Sequence, residues 1–334
     1  MSLRIGAHEL SDPVLLAPMA GITDLPFRRA AARFGVGLTV SEMVASGEAL
    51  TGRAAALARA ELDGAIGPAA VQIAGREAGA MAECARMLED LGAPIIDINL
   101  GCPAKKVTKG LSGSALMRDP DHALRLIEAT ARAVSVPVTV KMRLGWDQSA
   151  ITAPRIARGA QEAGAAMVTV HGRTRQQFYE GRADWAAVAE VRRAISIPLI
   201  VNGDIRDAAT ARSALAASGA DGVMIGRAAR GRPWLSAQIA AALAGRPVPP
   251  EPDGAARAEL LARQHEEMLS FYGRELGVRC ARKHISWHLE HVPGAEALRA
   301  RLMRMTDPAA IRRAIETELP ALCAAAPTVE GAAA

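Results

Sequence analysis

The chain has 334 residues, of which 50% are apolar, and a formal net charge of +5. This length allows one large domain or a large and a small one, and the apolar half suffices for a core. No apolar run reaches membrane-spanning length, and the charged N-terminus MSLRIGAHELSD has no signal-peptide pattern. We therefore expect a cytoplasmic protein with no membrane association, and the charge alone is weak support for a polyanionic partner.

Eight short apolar runs alternate with longer amphipathic stretches in the first two thirds of the chain. The runs are mostly β-branched and apolar on both faces, which indicates parallel strands buried on both sides. They lie at 14–18, 38–42, 69–73, 95–99, 138–142, 167–171, 199–203 and 222–226, with helices predicted at 77–91, 120–133, 185–194 and 208–218. This alternation predicts a (β/α)8 TIM barrel over 1–244. An open doubly wound sheet is the alternative, but no Gly-x-Gly-x-x-Gly fingerprint follows the first run.

A second domain is predicted after the barrel. Residues 245–254 read GRPVPPEPDG, a Pro/Gly-rich linker. The stretch 255–325 contains no strand-like run and predicts an all-helical domain, and 326–334 predicts a flexible tail.

Polar residues recur at the ends of the eight runs. In a TIM barrel all strand carboxyl ends open on one face, and that face carries active sites. A polar residue at the end of one strand is unremarkable in itself, but polar residues at the ends of all eight strands favour a functional rim. The residues are Met19, Glu42, Gln72, Asn99, Lys141, Arg143, His171, Asn202, Asp204, Gly226 and Arg227.

Two features of this rim indicate its ligand. Gly226 and Arg227 follow the eighth run, where barrels often bind phosphate through backbone amides and a cation. Lys141 places a cation beside a ring that gains negative charge, and Gln72 can bond amide-like ring edges. This set suits flavin mononucleotide (FMN).

Metal and disulfide chemistry find little support in the cysteines. Cys84, Cys102, Cys280 and Cys323 form no CxxC pair, and disulfides are unlikely in a cytoplasmic chain. We therefore predict no metal site.

Several motifs together resemble the tRNA-dihydrouridine synthase family, nearest its bacterial B-type subgroup. They are APMAGITDLPFR, VQIAG, DINLGCPAKKV, KMRLGW, HGRTR, NGDI and GRAARGRPW. The resemblance implies an FMN enzyme that reduces the C5=C6 bond of a D-loop uridine in tRNA, with NADPH, or NADH, recharging the flavin. No obligate protein partner is predicted.

Matching motifs also imply roles for individual residues. The resemblance assigns Cys102 as proton donor, with hydride passing from flavin N5 to C6 and the proton from Cys102 to C5. An ordinary cysteine thiol is mostly protonated at pH 7, which suits an acid better than a nucleophile. The residues implied to bind FMN are Pro18, Met19, Ala20, Gln72, Lys141, His171, Asn202, Gly203, Asp204, Gly226 and Arg227.

The tRNA contacts are expected in two places. Lys105, Lys106 and Lys109 suggest a mobile basic loop over the barrel mouth, and Asn99 with Arg143 are plausible partners of a uracil drawn out of its stack. In the helical domain, Arg279, Arg282 and Lys283 share one face if helical and predict a basic RNA-facing surface beside His284, His288 and His291.

Two other functions compete with this hypothesis. A flavin barrel acting on a small molecule, of the dihydroorotate dehydrogenase type, would turn over free uracil or orotate without the helical domain. A tRNA-binding folding helper with a vestigial flavin site would be colourless and would not take up FMN. The intact Cys102, Lys141 and Asn202 argue against such decay.

Overall fold

The computed structural model describes residues 3–325, so the predicted tail at 326–334 lies outside the described residues. The strands are β1 Leu3–Ile5, β2 His8–Leu10, β3 Val14–Leu16, β4 Leu38–Val40, β5 Val44–Ala45, β6 Ala69–Ala74, β7 Ile96–Leu100, β8 Val138–Arg143, β9 Met167–His171, β10 Leu199–Asn202 and β11 Gly222–Ile225. The helices are α1 Leu25–Ala32, α2 Ser46–Leu50, α3 Ala54–Ala60, α4 Ala78–Asp90, α5 Lys105–Lys109, α6 Pro120–Ala131, α7 Ala153–Glu162, α8 Trp185–Ala194, α9 Ala208–Ser218, α10 Leu235–Leu243, α11 Gly254–Tyr272, α12 Arg274–Leu289, α13 Glu296–Leu302 and α14 Pro308–Ala325.

Eight parallel strands close into a barrel. The strand order is β4-β3-β11-β10-β9-β8-β7-β6, and a further parallel pairing of β4 with β6 joins the two ends. This closure confirms the predicted TIM barrel and excludes the open sheet. All eight predicted runs became barrel strands, since apolar residues on both faces suit strands covered inside and outside.

A hairpin that the sequence pattern did not predict closes the barrel at the amino-terminal ends of its strands. Strands β1 and β2 pair antiparallel, with Leu3 opposite Leu10. Their apolar side chains join a buried cluster with Leu15 of β3, Ile200 of β10 and Ile95, the residue before β7. The amino end of the barrel is therefore filled, and the carboxyl end is left for chemistry.

Some of the barrel helices, α1, α6, α8 and α9, begin at aspartate caps. Asp119 accepts a hydrogen bond from the backbone nitrogen of His122 at the start of α6, and Asp207 pairs with Thr210 in a capping box at the start of α9. Such caps satisfy helix-end amides, and α9 ends at Gly219 in a left-handed conformation. The four predicted barrel helices are confirmed to within two residues at each end.

The C-terminal region is helical, as predicted. Helices α11, α12, α13 and α14 enclose an apolar cluster that includes Leu261, Met268, Ile285, Leu302 and Ile315. No helix within 3–325 is long and apolar enough to cross a membrane.

The chain divides into two compact units whose boundary differs from the sequence prediction. The first runs to Ala228 and includes Leu235–Val248, whereas Ala229–Trp234 groups with the residues from Pro249 onward. Trp234 is the reason, because its ring lies 6.2 Å from the His288 ring and 4.9 Å from the Arg257 guanidinium carbon. A large buried aromatic ties this short segment to the helical unit.

Candidate active site

Cys102 directly follows β7 at the carboxyl end of the barrel and is held through its backbone. The Asn99 Oδ1 accepts hydrogen bonds from the nitrogens of Gly101 at 3.0 Å and Cys102 at 2.8 Å. From the other side, Ser114 donates to the Cys102 carbonyl through its hydroxyl at 2.8 Å and its nitrogen at 3.1 Å. Gly113 has φ +59°, and a Cβ there would lie 3.0 Å from the Cys102 carbonyl oxygen. The partly exposed thiol therefore sits on a closely packed loop.

Below this loop, buried side chains form a continuous hydrogen-bonded line. Asn99 Nδ2 donates to Gln72 Oε1 and Gln72 Nε2 donates to Asp97 Oδ2, each at 2.7 Å. Thr139 donates to the other oxygen of Asp97 at 2.5 Å. Burial raises the Asp97 pKa to about 6, against the opposing effect of these two hydrogen bonds and Lys141.

Sequence reasoning missed Asp97 and Thr139. The available signal was one carboxylate inside the fully buried strand β7, two residues before Asn99 and therefore on the same face of the strand. Charged residues are rarely buried without a partner. The partner, Thr139, comes from the neighbouring strand and is opposite Asp97 in register.

Lys141 brings a cation to the barrel mouth. Its Nζ donates to Asn202 Oδ1 at 3.2 Å, and Asn202 Nδ2 donates to the Met224 carbonyl at 2.8 Å. Burial, followed by Arg143, lowers the Lys141 pKa to about 8, while Asp97 and Cys102 act in the opposite direction. Lys141 is therefore mostly charged at neutral pH, with Asn202 holding its ammonium.

Arg143, predicted as a partner of uracil, links two rim loops. Its guanidinium donates to the carbonyls of Gly101 at 2.9 Å, Thr174 at 2.8 Å and Phe178 at 2.8 Å. Only 2% of Arg143 is exposed, and burial lowers its pKa to about 10, so it remains a cation. The cysteine loop and the loop after β9 are thus joined by one side chain.

His171 ends β9 as a neutral ring. It is 8% exposed, and among the described residues its buried Nδ1 has no hydrogen-bond partner. Burial, followed by repulsion from Arg143 and Lys141, lowers the His171 pKa well below its usual value. An unused buried nitrogen in a polar rim suits a ligand contact, because buried polar atoms are normally paired.

Asp204 and Gly203 shape the end of β10. Gly203 has φ +113°, and a Cβ there would lie 3.0 Å from the His171 ring, so this close approach requires glycine. The Asp204 carboxylate accepts from Arg173 Nη2 at 2.5 Å and from the Ala183 nitrogen at 2.8 Å. Arg173, 1% exposed, is a further structural residue that sequence reasoning did not single out.

The predicted phosphate residues lie at the same end. Arg227 is exposed, with its guanidinium 3.9 Å from Asp204 Oδ1 and 4.7 Å from the Tyr179 ring centre. Gly226 precedes it, and a Cβ there would meet only Ala17 and Met19, at ordinary contact distance. Gly226 therefore lies in open space and is not required to be glycine by its backbone conformation.

The first barrel loop contains the remaining predicted cofactor residues. Pro18 and Met19 are partly exposed and Ala20 is exposed. The Met19 nitrogen donates to the Thr23 hydroxyl at 2.8 Å. This turn fixes the backbone while leaving these three residues reachable.

The predicted basic loop is in fact a short helix. Lys105, Lys106 and Lys109 lie on α5, and all three are exposed. Thr108 is buried, and its hydroxyl donates within the turn to the carbonyl of Ala104, the N-cap residue of α5, at 3.3 Å. The prediction of a loop was wrong because Pro and Gly flank five residues that can form one helical turn.

In the helical unit, Arg279, Arg282 and Lys283 lie on α12, as the spacing predicted. Arg279 is exposed, whereas Arg282 is half-buried and donates to the Met305 carbonyl at 3.2 Å. The neighbouring His284 and His288 are buried and bond Gln264, whose polar atoms lie 3.2 and 3.3 Å from their rings. These two histidines are therefore part of the interior of this unit.

Fold and rim together define a TIM-barrel protein with a thiol, a lysine and an arginine-rich mouth. The model of the dihydrouridine synthase (Dus) family matches residues 15–324. A probable tRNA-dihydrouridine synthase of Rhodobacter capsulatus is 59% identical over 311 residues, 93% of this chain and 95% of the relative. tRNA-dihydrouridine synthase B of Xanthomonas campestris is 46% identical over 308 residues, 92% and 93% of the two chains. The chain belongs to the dihydrouridine synthase family.

A solved structure supports the fold independently. The complex of 2-naphthoyl-CoA reductase with 2-naphthoyl-CoA superposes with a TM-score of 0.58 at 13% identity. The match covers 74% of this chain and 52% of that one. At this identity the likeness concerns the fold alone.

Proposed function

We propose that this protein is a tRNA-dihydrouridine synthase that reduces the C5=C6 bond of a D-loop uridine, with FMN as cofactor and NADPH or NADH as reductant. The observation that carries the proposal is Cys102, held at the carboxyl end of the barrel beside Lys141 and Arg143 in a chain of this family. Small-molecule reduction would not require the exposed lysines of α5 or the basic face of α12.

The residues of the rim fit a flavin phosphate. Lys141 supplies a half-buried cation, His171 a buried nitrogen with no hydrogen-bond partner in the described part of the chain, and Arg227 an exposed guanidinium beside an open glycine. A flavin ring needs a cation and polar atoms at its edge, and its phosphate needs a positively charged partner. We propose that these residues, with Pro18, Met19, Ala20, Gln72, Asn202, Gly203, Asp204 and Gly226, bind FMN. When bound, FMN supplies the hydride for C6.

Cys102 then has the role of general acid at C5. Its thiol must carry a proton and remain in one place, and the contacts from Asn99 and Ser114 hold its backbone on both sides. Lys141 would place its positive charge beside the flavin ring, and there it would stabilise negative charge on that ring. Arg143 keeps the two rim loops together and so helps to exclude water.

Recognition of tRNA follows from exposed charge. Lys105, Lys106 and Lys109 of α5 can neutralise backbone phosphates near the mouth, and we propose Arg279, Arg282 and Lys283 as contacts on the helical unit. Asn99 and Arg143 remain proposed partners of the uracil edge, through polar atoms beyond those used inside the chain. Binding should weaken steeply with salt.

The test is mass-spectrometric mapping of dihydrouridine in tRNA from cells lacking the gene and complemented with it. We expect D-loop dihydrouridine to disappear and to return with the wild-type gene, but not with Cys102→Ala. The purified protein should be yellow and should reduce tRNA rather than free uracil or orotate. Unchanged dihydrouridine in the deletion strain, with no second synthase present, would contradict the proposal.

A further inference from the structure

A carboxylate in the barrel interior is connected to the Cys102 backbone through two amide side chains. We propose that Asp97, acting through Gln72 and Asn99, is the positioning residue of the Cys102 loop. This inference rests on the proposed function for its catalytic meaning, because it identifies what holds the proton donor in place. Its physical content, the order of the loop, is independent of any activity.

The direction of every bond in this line is determined at its two ends. Backbone nitrogens of Gly101 and Cys102 can only donate, so the Asn99 side chain must turn its oxygen toward them. Its nitrogen then faces Gln72 Oε1, and the Gln72 nitrogen must find an acceptor at the far end. An ionised carboxylate can only accept, so Asp97 offers Gln72 an acceptor whichever of its two oxygens faces it.

A donor at position 97 would remove this certainty. The Gln72 amide could then turn over, Asn99 would follow, and the Asn99 NH2 group would meet the Cys102 backbone nitrogen. Two donors facing each other in a buried site are unfavourable, so the loop would lose its anchor. The carboxylate is thus required for its acceptor-only character and not merely for its volume.

Burial makes this line sensitive, because water cannot replace a lost partner. Gln72 is 1% exposed, Asp97 3% and Asn99 7%. Thr139 holds the second Asp97 oxygen from strand β8, which fixes the carboxylate while Gln72 uses the first. Lys141, on the same strand, is the charged group that favours the ionised form.

The experiment is amide hydrogen exchange at Gly101 and Cys102 in the purified full-length protein. We expect Asp97→Asn to accelerate exchange there at least tenfold. Gln72→Glu should do the same, because two carboxylates then face each other without a donor. The double variant Asp97→Asn/Gln72→Glu should return exchange toward wild type, since the new amide donates to the new carboxylate, which still accepts from Asn99.

Thr169→Val provides the matched control. The Thr169 hydroxyl is buried in β9, the strand next to β8. It has no hydrogen-bond partner within residues 3–325, so its loss should leave exchange at Cys102 unchanged. Exchange within twofold of wild type in both single variants, or a double variant as fast as either, would overturn the proposal. If one single variant does not fold, the other single variant against the double decides.

Turnover supplies the link to function. Asp97→Asn should lower kcat for tRNA at least tenfold while its KM changes less than twofold, because the acid is misplaced whereas the proposed phosphate contacts on α5 and α12 are untouched. Full kcat with accelerated exchange would reject the positioning role. Absence of dihydrouridine synthesis by the wild-type protein would instead reject the proposed function, and the exchange result would remain interpretable.

Discussion

The side-chain oxygen of Asn99 accepts a hydrogen bond from the backbone nitrogen of Cys102 at 2.8 Å, three residues further along the chain. A short side chain at the end of β7 thereby turns the backbone back on the strand that produced it, as Asn does in turns. The cysteine follows the last strand residue, Leu100, so closely that the barrel itself determines where the thiol lies.

Replacing Cys102 by Ser tests the acid directly. A serine hydroxyl is a far weaker acid than a thiol, so we expect tRNA turnover to fall by about 10²–10⁴-fold. Bound flavin, measured by absorbance, should be unchanged. Cys323→Ser, in the helical unit, is the control and should keep full activity. Wild-type turnover of Cys102→Ser would exclude the thiol as proton donor.

The Lys141 cation predicts an alkaline limit for activity. Its pKa in the folded protein is about 8, below its ordinary value of 10.5 because of burial and then Arg143. Since the charged form of Lys141 is the useful one and Asp97 is ionised above its pKa of about 6, kcat/KM should be flat between pH 7 and 8 and fall about tenfold per pH unit above pH 8. Lys141→Arg should move that limit to higher pH if it retains flavin. An unshifted limit in this variant would assign the titration to another group.

Loss of Arg143 should loosen the rim. Arg143→Met leaves the carbonyls of Gly101, Thr174 and Phe178 without their donor, and each lost bond to a charged group costs about 1.5–3 kcal/mol. We expect a lower Tm and faster proteolysis within 174–181. Arg155→Met, at an exposed ion pair with Asp121, is the control and should change Tm little. Equal Tm values would contradict the linking role.

Buried His288 predicts acid sensitivity of the helical unit. Its pKa is about 3 in the fold, lowered by burial and then Arg257, against 6.5 when unfolded. The unfolded chain therefore binds the extra proton, so this stability is fully present above pH 6.5 and is lost as pH falls toward 3. His288→Gln should flatten the acid side of the stability curve, measured by urea unfolding monitored by helix content. His122→Gln, at a half-buried position on α6 of the barrel, is the control outside the helical unit.

Asp97 predicts the opposite pH dependence. Its pKa rises from 3.8 unfolded to about 6 in the fold, so its contribution is greatest below pH 3.8 and is lost as pH rises through 6. Relative to Asp97→Asn, the wild-type protein should lose ~2 kcal/mol of unfolding free energy between pH 4 and pH 7, at 1.36 kcal/mol per pKa unit. Urea unfolding of both proteins at pH 4, 5, 6 and 7 measures the difference. A constant difference would mean that Asp97 is not desolvated.

The barrel and much of its rim are visible in the sequence because they depend on local patterns. Eight doubly apolar runs and their polar ends are linear features, and a barrel brings all strand ends to one face whatever the details. The family motifs then indicate chemistry for Cys102, Lys141 and Arg227. The family itself is confirmed by the match over residues 15–324.

The partnerships depend on the tertiary structure. Asp97 meets Gln72 and Thr139 only because β7 lies between β6 and β8 in one register, and no spacing along the chain encodes that contact. Arg143 was predicted as a substrate partner from its place at a strand end, and only folding brings the carbonyls of two loops to its guanidinium as well. Local residue preferences determine which elements form, whereas the closure of the sheet determines which buried polar groups must satisfy one another.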